Sequence, residues 1–308
     1  MRIRTDLAME SGALEQSIHG ITTKTFFHGK IEETRVSVDT KEASLLLEKA
    51  MGQYITFYLP DLYHAGVEER KALIHGIAQT VGRLLPSSGD VLVIGLGNRY
   101  MTADALGSRV LENLLITRHI KEKDGQSFSQ KLRGVCAAAP GVLGVTGMET
   151  AEIVKGMKDH VHPSAVIAID ALAARESSRI CTTVQITDTG ILPGSGVGNH
   201  RAGLTEDTLG VPVIAIGVPM VVYASVIARD ALLLLMQDMG MGEEDHEQAV
   251  DGLMERIVQK GLGDLVVTPR EVDELVGKVA RIIADGLNIA LQPGISEEEL
   301  QYLTHDGP

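Results

Sequence analysis

The chain has 308 residues, of which 44% are hydrophobic but only 3% are aromatic, so its core must be built from aliphatic side chains. Its formal net charge of −13 argues against a nucleic-acid scaffold, because binding to phosphates needs a basic surface. The two cysteines, Cys136 and Cys181, form no CxxC motif, and the start of the chain lacks an apolar segment. These features argue against a disulfide scaffold and a secretory signal, and favour a cytoplasmic protein.

The N-terminal third predicts strands and one long helix. Residues 21–40 alternate between apolar and polar side chains, which predicts a hairpin that turns near His28 and Gly29. Residues 54–58 predict a strand that ends before Pro60, and apolar spacing of the 3.6-residue type predicts a helix over 68–85.

Strands and helices alternate in the middle of the chain. We predict strands over 91–97, 165–170, 181–186 and 212–216, and helices over 103–115, 149–160 and 171–179. This alternation predicts an α/β fold of phosphorylase or hydrolase type, with a mostly parallel or mixed sheet and helices on both faces.

The C-terminal third is predicted to be mainly helical from Val221 onward. The longest apolar stretch, 210–228, is interrupted by prolines and a glycine, so we predict a strand, a turn and a helix there and no membrane span. Capping boxes are predicted at 268–271 and 296–299. Since no flexible linker divides the chain, we predict a single domain over 1–308 with an N-terminal β elaboration and C-terminal helices.

Two aspartates stand where predicted buried strands end. Asp104 follows the strand 91–97 and its glycine turn, and Asp170 is the last residue of the strand 165–170. In open α/β sheets, ligands and chemistry gather beyond the carboxyl ends of the strands. Two carboxylates meeting there can share a proton and activate water, so a hydrolase is the first hypothesis.

Each of these features also has a structural interpretation. Asp104 could stabilise the start of helix 103–115, and Asp170 could cap helix 171–179. The turn Gly95-Leu-Gly-Asn98 resembles a dinucleotide-binding turn, but Tyr100 replaces the third glycine. A tight turn that lets two backbone segments approach each other is therefore the favoured interpretation.

The segment 188–199 is rich in glycine, and its free backbone N–H groups suit an oxyanion or a peptide backbone, although a solvent loop is the alternative. Ser195 lacks the G-x-S-x-G setting of a serine hydrolase, and His160 and His162 fit a helix end better than a metal site. The residues assigned to loops near the site are Gly95, Gly97, Asn98, Asp188, Gly194, Ser195, Gly196 and Asn199.

Three segments together resemble the germination protease, or spore protease, family of spore-forming bacteria. They are Gly95–Asn98 with Asp104-Ala-Leu-Gly107, Ala168-Ile-Asp-Ala-Leu-Ala-Ala-Arg175, and the glycine-rich run Gln185–Asn199. The first turn and its aspartate also resemble, more distantly, the hydrogenase maturation proteases, which share the α/β fold.

The resemblance implies an endopeptidase that degrades small acid-soluble spore proteins in the spore core during germination. It implies a zymogen that assembles as a homotetramer, with Asp104 and Asp170 as the catalytic pair and with no cofactor, metal, membrane or direct nucleic-acid partner. It also implies that the chain cuts itself between Asp6 and Leu7, so that residues 1–6 form a propeptide.

An acidic residue before an apolar one at this position implies the same preference in substrates. A basic side chain would then meet the acidic one, and Arg99, Arg175 and Arg201 are the candidates that flank the motifs. Two other hypotheses stay open. In one, the two aspartates hold the metal of a maturation peptidase or another hydrolase; in the other, the chain is a binding module without catalysis.

Overall fold

The computed structural model describes residues 5–10, 18–123, 131–192, 202–240 and 265–305. Nine strands form one continuous sheet in the order β1-β2-β3-β7-β8-β6-β4-β5, with β9 paired to β8. The strands are β1 Ile21–His28, β2 Ile31–Val38, β3 Gly52–Tyr58, β4 Val91–Gly95, β5 Val135–Ala138, β6 Ala165–Ala174, β7 Thr183–Thr187, β8 Val213–Tyr223 and β9 Val266–Val267.

The sheet is mixed, as the sequence predicts. Strands β5, β4, β6 and β8 are parallel, whereas β7, β3, β2, β1 and β9 pair antiparallel with their neighbours. The predicted N-terminal hairpin is confirmed, and it extends the central sheet because β3 pairs with β7.

Helices cover both faces of the sheet, which also confirms the prediction. The helices are α1 Lys41–Leu47, α2 Val67–Leu84, α3 Leu106–Leu111, α4 Arg118–Lys123, α5 Leu143–Thr146, α6 Thr150–Val161, α7 Glu206–Leu209, α8 Ala224–Asp238, α9 Val272–Leu291 and α10 Glu297–His305. Helices α2, α3 and α9 pack on one face of the central strands, and α6 and α7 pack on the other. Within the described ranges, no helix is long and apolar enough to cross a membrane.

The predicted helix over 171–179 is wrong. Residues 165–174 form β6, and only Ser177–Arg179 makes a short 3-10 turn. The alanines favour a helix by intrinsic propensity, but β6 pairs with β8 as far as Ala174 and Val222. Partner strand β8 is correspondingly longer than the predicted strand 212–216. Asp170 therefore lies inside a strand and caps no helix.

Two other helix predictions need correction. The helix predicted over 103–115 is a 3-10 turn, Thr102–Asp104, followed by the short α3. The capping box predicted at 268–271 does not form, because α9 starts after Glu271 and the Thr268 hydroxyl donates to the Met220 carbonyl at 2.9 Å. The capping box at 296–299 is confirmed, since Glu299 N–H donates to Ser296 Oγ and Ser296 N–H to Glu299 Oε2.

The N-terminal segment 5–10 packs against the sheet. Leu7 and Ala8 are fully buried, and Ala8 lies in a small apolar cluster with Val36, Val38 and other side chains of β2, α1 and β3. The segment consequently belongs to the folded body of the protein and lies next to β6 and β7.

Candidate functional site

Asp104 is positioned by a glycine turn at the carboxyl end of β4. Gly97 has a φ of +90°, and a Cβ on it would lie 2.1 Å from the Asp104 carbonyl oxygen. A Cβ on Gly107 would lie 2.5 Å from the Leu96 nitrogen, so the turn and α3 can approach only without side chains at these positions. The chain's own backbone fills the space beside the turn. This agrees with the prediction that Gly95–Asn98 is a tight turn that lets two backbone segments approach each other.

The Asp104 carboxylate faces back into this turn. Its Oδ2 accepts a hydrogen bond from the Asn98 N–H at 2.7 Å. A backbone N–H donated to a carboxylate favours its charged form. The turn thus orients Asp104 through its carboxylate.

Asp170 lies on β6 just beyond the end of its pairing with β4, and its side chain is 8% exposed. Its Oδ1 accepts a hydrogen bond from the Ala171 N–H at 2.9 Å. Burial above all, and then the negative charges of Asp104 and Asp6, raise the pKa of Asp170 well above its ordinary value. The two predicted aspartates therefore interact electrostatically, as neighbours at the carboxyl edge of the parallel strands.

This environment separates the two carboxyl groups chemically. Each carboxyl group accepts one backbone hydrogen bond, but Asp170 is buried beside negative charges and favours its protonated form, whereas Asp104 is only partly buried. A protonated and an ionised carboxyl group side by side can act as general acid and general base.

The predicted processing site lies beside Asp170. The Asp6 N–H donates to the Ala173 carbonyl at 3.2 Å, and the Ala173 N–H donates to Asp6 Oδ2 at 2.9 Å. The Asp6 carbonyl accepts from Lys49 Nζ at 3.0 Å and from Gln185 Nε2 at 3.2 Å. The residue before the Asp6–Leu7 bond consequently contacts both β6 and β7, the two strands that flank β8 in the sheet.

A second acidic side chain anchors the segment. Glu10 is buried, and its carboxylate accepts from the N–H groups of Arg175 at 2.8 Å and Glu176 at 2.9 Å. Thr5 Oγ1 also bonds to this carboxylate, and Arg179 Nε lies 3.7 Å from it. Burial raises the pKa of Glu10, although the hydrogen bonds oppose that effect.

Of the arginines predicted to meet the acidic side chain, Arg175 contacts the N-terminal segment at another residue. The Asp6 carboxylate binds a backbone N–H, while the Arg175 guanidinium donates to the Glu10 carbonyl at 3.4 Å. Arg99 is exposed, and Arg201 lies outside the described residues. A backbone N–H of β6, the strand that carries Asp170, binds the Asp6 carboxylate. The direction of this N–H depends on the part of β6 beyond residue 170, which the sequence did not predict as a strand.

Asp188 is positioned away from the aspartate pair. Strand β7 runs antiparallel to β8, and Thr187 pairs with Ala215, whereas Asp170 pairs with Gly217. Asp188 is exposed, and its Oδ1 accepts from the Gln53 N–H at 2.8 Å. The other residues predicted for this loop, Gly194, Ser195, Gly196 and Asn199, lie outside the described residues, so its role near the site stays a prediction.

Sequence reasoning missed two residues that contact the N-terminal segment, Lys49 and Gln185, and one residue of that segment, Glu10. Gln185 begins the quoted glycine-rich run, but nothing in its spacing points to the N-terminal segment. Lys49 belongs to no motif, and only tertiary folding brings it to Asp6.

The cysteines and histidines are the remaining candidates for metal or thiol chemistry. Among the described residues, no group of three or more His, Cys, Asp and Glu side chains is arranged to hold a metal ion. Cys181 is buried, which raises the pKa of its thiol to about 12, and His162 ends α6 in a left-handed conformation. A thiol with so high a pKa is a poor nucleophile at neutral pH.

Comparison with known proteins identifies close relatives along the whole chain. A sequence model of the germination protease family matches residues 3–261. The germination protease of Caldanaerobacter subterraneus subsp. tengcongensis is 42% identical over 318 residues, which cover 98% of each chain. That of Clostridium tetani is 39% identical over 97% of this chain and 98% of its own, and that of Bacillus subtilis is 36% identical over 98% and 97%. A solved NiFe hydrogenase maturation protease from Thermococcus kodakarensis aligns at 17% identity with a TM-score of 0.32, over 68% of this chain and 98% of its own.

Proposed function

This chain belongs to the germination protease family and is a peptidase of spore germination, and we propose that Asp104 and Asp170 together activate the water that cuts the peptide bond. Asp104 takes a proton from water as the general base. Asp170 gives its proton to the leaving amine as the general acid. The proposal rests on one observation: a buried Asp170 whose pKa is raised by burial and by the neighbouring Asp104.

The same pair would carry out self-processing. Asp6 lies within electrostatic reach of Asp170, and its main chain is bound to β6 and β7. We propose that the chain is made as a zymogen, that it cuts between Asp6 and Leu7, and that residues 1–6 leave as the propeptide of a single peptidase domain over 1–308.

The proposed substrates are the small acid-soluble proteins of the spore, cut in the spore core by a homotetramer. An acidic residue before the cut and an apolar one after it would be bound as Asp6 and Leu7 are here. Asp6 meets a backbone N–H, and Leu7 is fully buried. Light scattering on the purified chain would test the tetramer.

Intact mass of the full chain, before and after mild acidification, tests the mechanism. The variants are Asp104→Asn and Asp170→Asn, and the matched control is Asp159→Asn, because Asp159 is an exposed carboxylate on α6. Wild type and the control should lose residues 1–6. Each active-site variant should cleave about 10²–10⁴-fold more slowly, the usual contribution of a general acid or base. A purified small acid-soluble spore protein, offered as substrate, should give the same ranking.

Other outcomes point to the rival functions. If both Asn variants cleave at the wild-type rate, the aspartate pair is wrong. Loss of activity with a chelator and its return with added metal would favour a metal-dependent maturation peptidase. A wild-type chain that cuts neither itself nor the spore protein would favour a binding module.

A further inference from the structure

We infer that Lys49 and Gln185 form the electrophilic site of this peptidase, holding and polarising the carbonyl oxygen of the bond that is cut. This inference deepens the proposed function and rests on its cut between Asp6 and Leu7. Two side-chain donors converge on the Asp6 carbonyl oxygen, Lys49 Nζ at 3.0 Å and Gln185 Nε2 at 3.2 Å. Two preorganised donors on one carbonyl are the arrangement that stabilises a developing oxyanion.

The backbone of Lys49 is fixed by the end of the helix that precedes it. It follows the left-handed residue Glu48 at the end of α1, and its N–H and C=O are both held by Ser44, at 3.1 and 2.6 Å. Its ammonium group also donates to the Thr5 carbonyl at 2.9 Å. Burial lowers the pKa of Lys49, whereas the carboxylates of Asp6, Glu10 and Glu48 favour its charged form.

Gln185 binds main-chain atoms on both sides of the bond between Asp6 and Leu7. Its Nε2 donates to the Asp6 carbonyl, and its Oε1 accepts from the Ala8 N–H at 2.7 Å. The amide thereby pairs with the peptide as a neighbouring strand would, and its two bonds fix which end of the amide points to the carbonyl.

The register of the sheet places Gln185 and Asp170 in one row, joined through Gly217. Gln185 pairs with Gly217 across β7 and β8, and Gly217 pairs with Asp170 across β8 and β6. Two strand spacings separate Gln185 from Asp170, about 9–10 Å. A Cβ on Gly217 would lie 2.4 Å from Leu172 Cδ1, so the Leu172 side chain packs over the glycine that joins the carbonyl-binding amide and the catalytic acid.

With these two donors, each step of the cleavage can be assigned to a residue. Water adds its oxygen to the Asp6 carbonyl carbon and loses a proton to Asp104, while the C=O electron pair moves to the oxygen held by Lys49 and Gln185. The pair then returns to re-form the carbonyl, the bond from carbon to the Leu7 nitrogen breaks, and that nitrogen takes the proton of Asp170. Both donors contact only main-chain atoms, so a protein substrate of any sequence would present them with the same oxygen.

The test measures the rate of self-cleavage by intact mass, and the docking of the segment by hydrogen exchange at the Ala8 amide. Lys49→Met should slow cleavage about 10²–10³-fold, the cost of losing one oxyanion donor. Lys49→Arg should recover part of the rate. Gln185→Glu keeps the acceptor for Ala8 but loses the donor to Asp6, so the Ala8 amide should stay protected while cleavage slows. Lys41→Met, an exposed lysine of α1, is the matched control.

Each result decides the inference. If Lys49→Met and Gln185→Glu both cleave within twofold of wild type, it is wrong. If cleavage slows only in proportion to lost protection at Ala8, the two residues merely hold the segment and the inference is equally wrong. A wild-type chain that does not cleave overturns the proposed function as well, whereas an active wild type with unaffected variants overturns this inference alone.

Discussion

Asp170 and Asp188 lie in different surroundings on one sheet although both stand near the end of a predicted buried strand. Asp170 is 8% exposed and interacts with Asp104 and Asp6. Asp188 is exposed and accepts the Gln53 N–H next to Gly52. Strand β6 runs parallel to β4, whereas β7 runs antiparallel to β8, so the ends of these two strands point in opposite directions. Strand direction, and not the residue type or its place after a strand, separates a buried carboxyl group with a raised pKa from an exposed one that binds a backbone N–H.

The largest expected effect on stability comes from Asp170. Its pKa is raised in the folded state, so the folded chain binds more protons than the unfolded one between the ordinary and the raised value. The free energy of unfolding of wild type should therefore fall as pH rises through that window. Asp170→Asn should be the more stable protein at pH 8 and should lose this advantage at acid pH.

Urea unfolding of both proteins at a series of pH values would measure this difference. An advantage of Asp170→Asn that does not depend on pH would contradict the buried, proton-binding state of Asp170. Asp159→Asn serves as the control, because Asp159 is exposed and pairs with Lys158.

The next effect concerns the turn that holds Asp104. Gly97→Ala places a Cβ 2.1 Å from the Asp104 carbonyl oxygen at a φ of +90°, so we expect a loss of about 2 kcal/mol in unfolding free energy. Displacement of Asp104 should also slow cleavage. Thermal unfolding and intact mass measure the two effects. Gly82→Ala, in α2 with open space around it, should instead stabilise by about 0.5–1 kcal/mol.

A smaller effect is expected where the acidic anchor of the N-terminal segment is changed. Glu10→Gln replaces one acceptor oxygen by a donor that faces the N–H groups of Arg175 and Glu176. Docking of the segment should weaken by about 1–2 kcal/mol. Faster hydrogen exchange at the Ala8 amide and slower self-cleavage would show it, and unchanged exchange would contradict the role of Glu10 as an anchor.

The smallest effect is expected at Asp188. Asp188→Asn keeps an oxygen for the Gln53 N–H but removes the charge that strengthens the bond, so unfolding free energy should fall by at most about 1 kcal/mol. Urea unfolding would measure it. A pH-dependent change of the size expected for Asp170 would remove the contrast between the two aspartates.

Several parts of the fold follow from local sequence patterns. Alternation predicted the hairpin β1–β2, and apolar periodicity predicted α2 and α6 to within about one residue at each end. The capping box at Ser296 formed because its bonds are local. The alanines after Asp170 misled the prediction, since their propensity for helix is overridden by pairing with β8.

The candidate site likewise contains residues that the sequence pointed to and residues that it did not. Strand-end position pointed to Asp104 and Asp170 from the sequence, and the structure places them within electrostatic reach of each other. The glycines at 95, 97 and 107 follow from the close contact between the turn and α3. Lys49 and Gln185 carried no such signal, because their common partner is a peptide carbonyl more than 40 residues away in sequence from either of them.

The sequence by itself determined the composition of the core, most of the strands and helices, and the two aspartates at strand ends, because each depends on neighbours close in the chain. Only the tertiary structure decided that Asp170 lies inside a strand, that β7 runs antiparallel to β8, and that segment 5–10 contacts β6 and β7. Those facts depend on strand direction and register, which long-range pairing sets and which no local pattern of residues encodes.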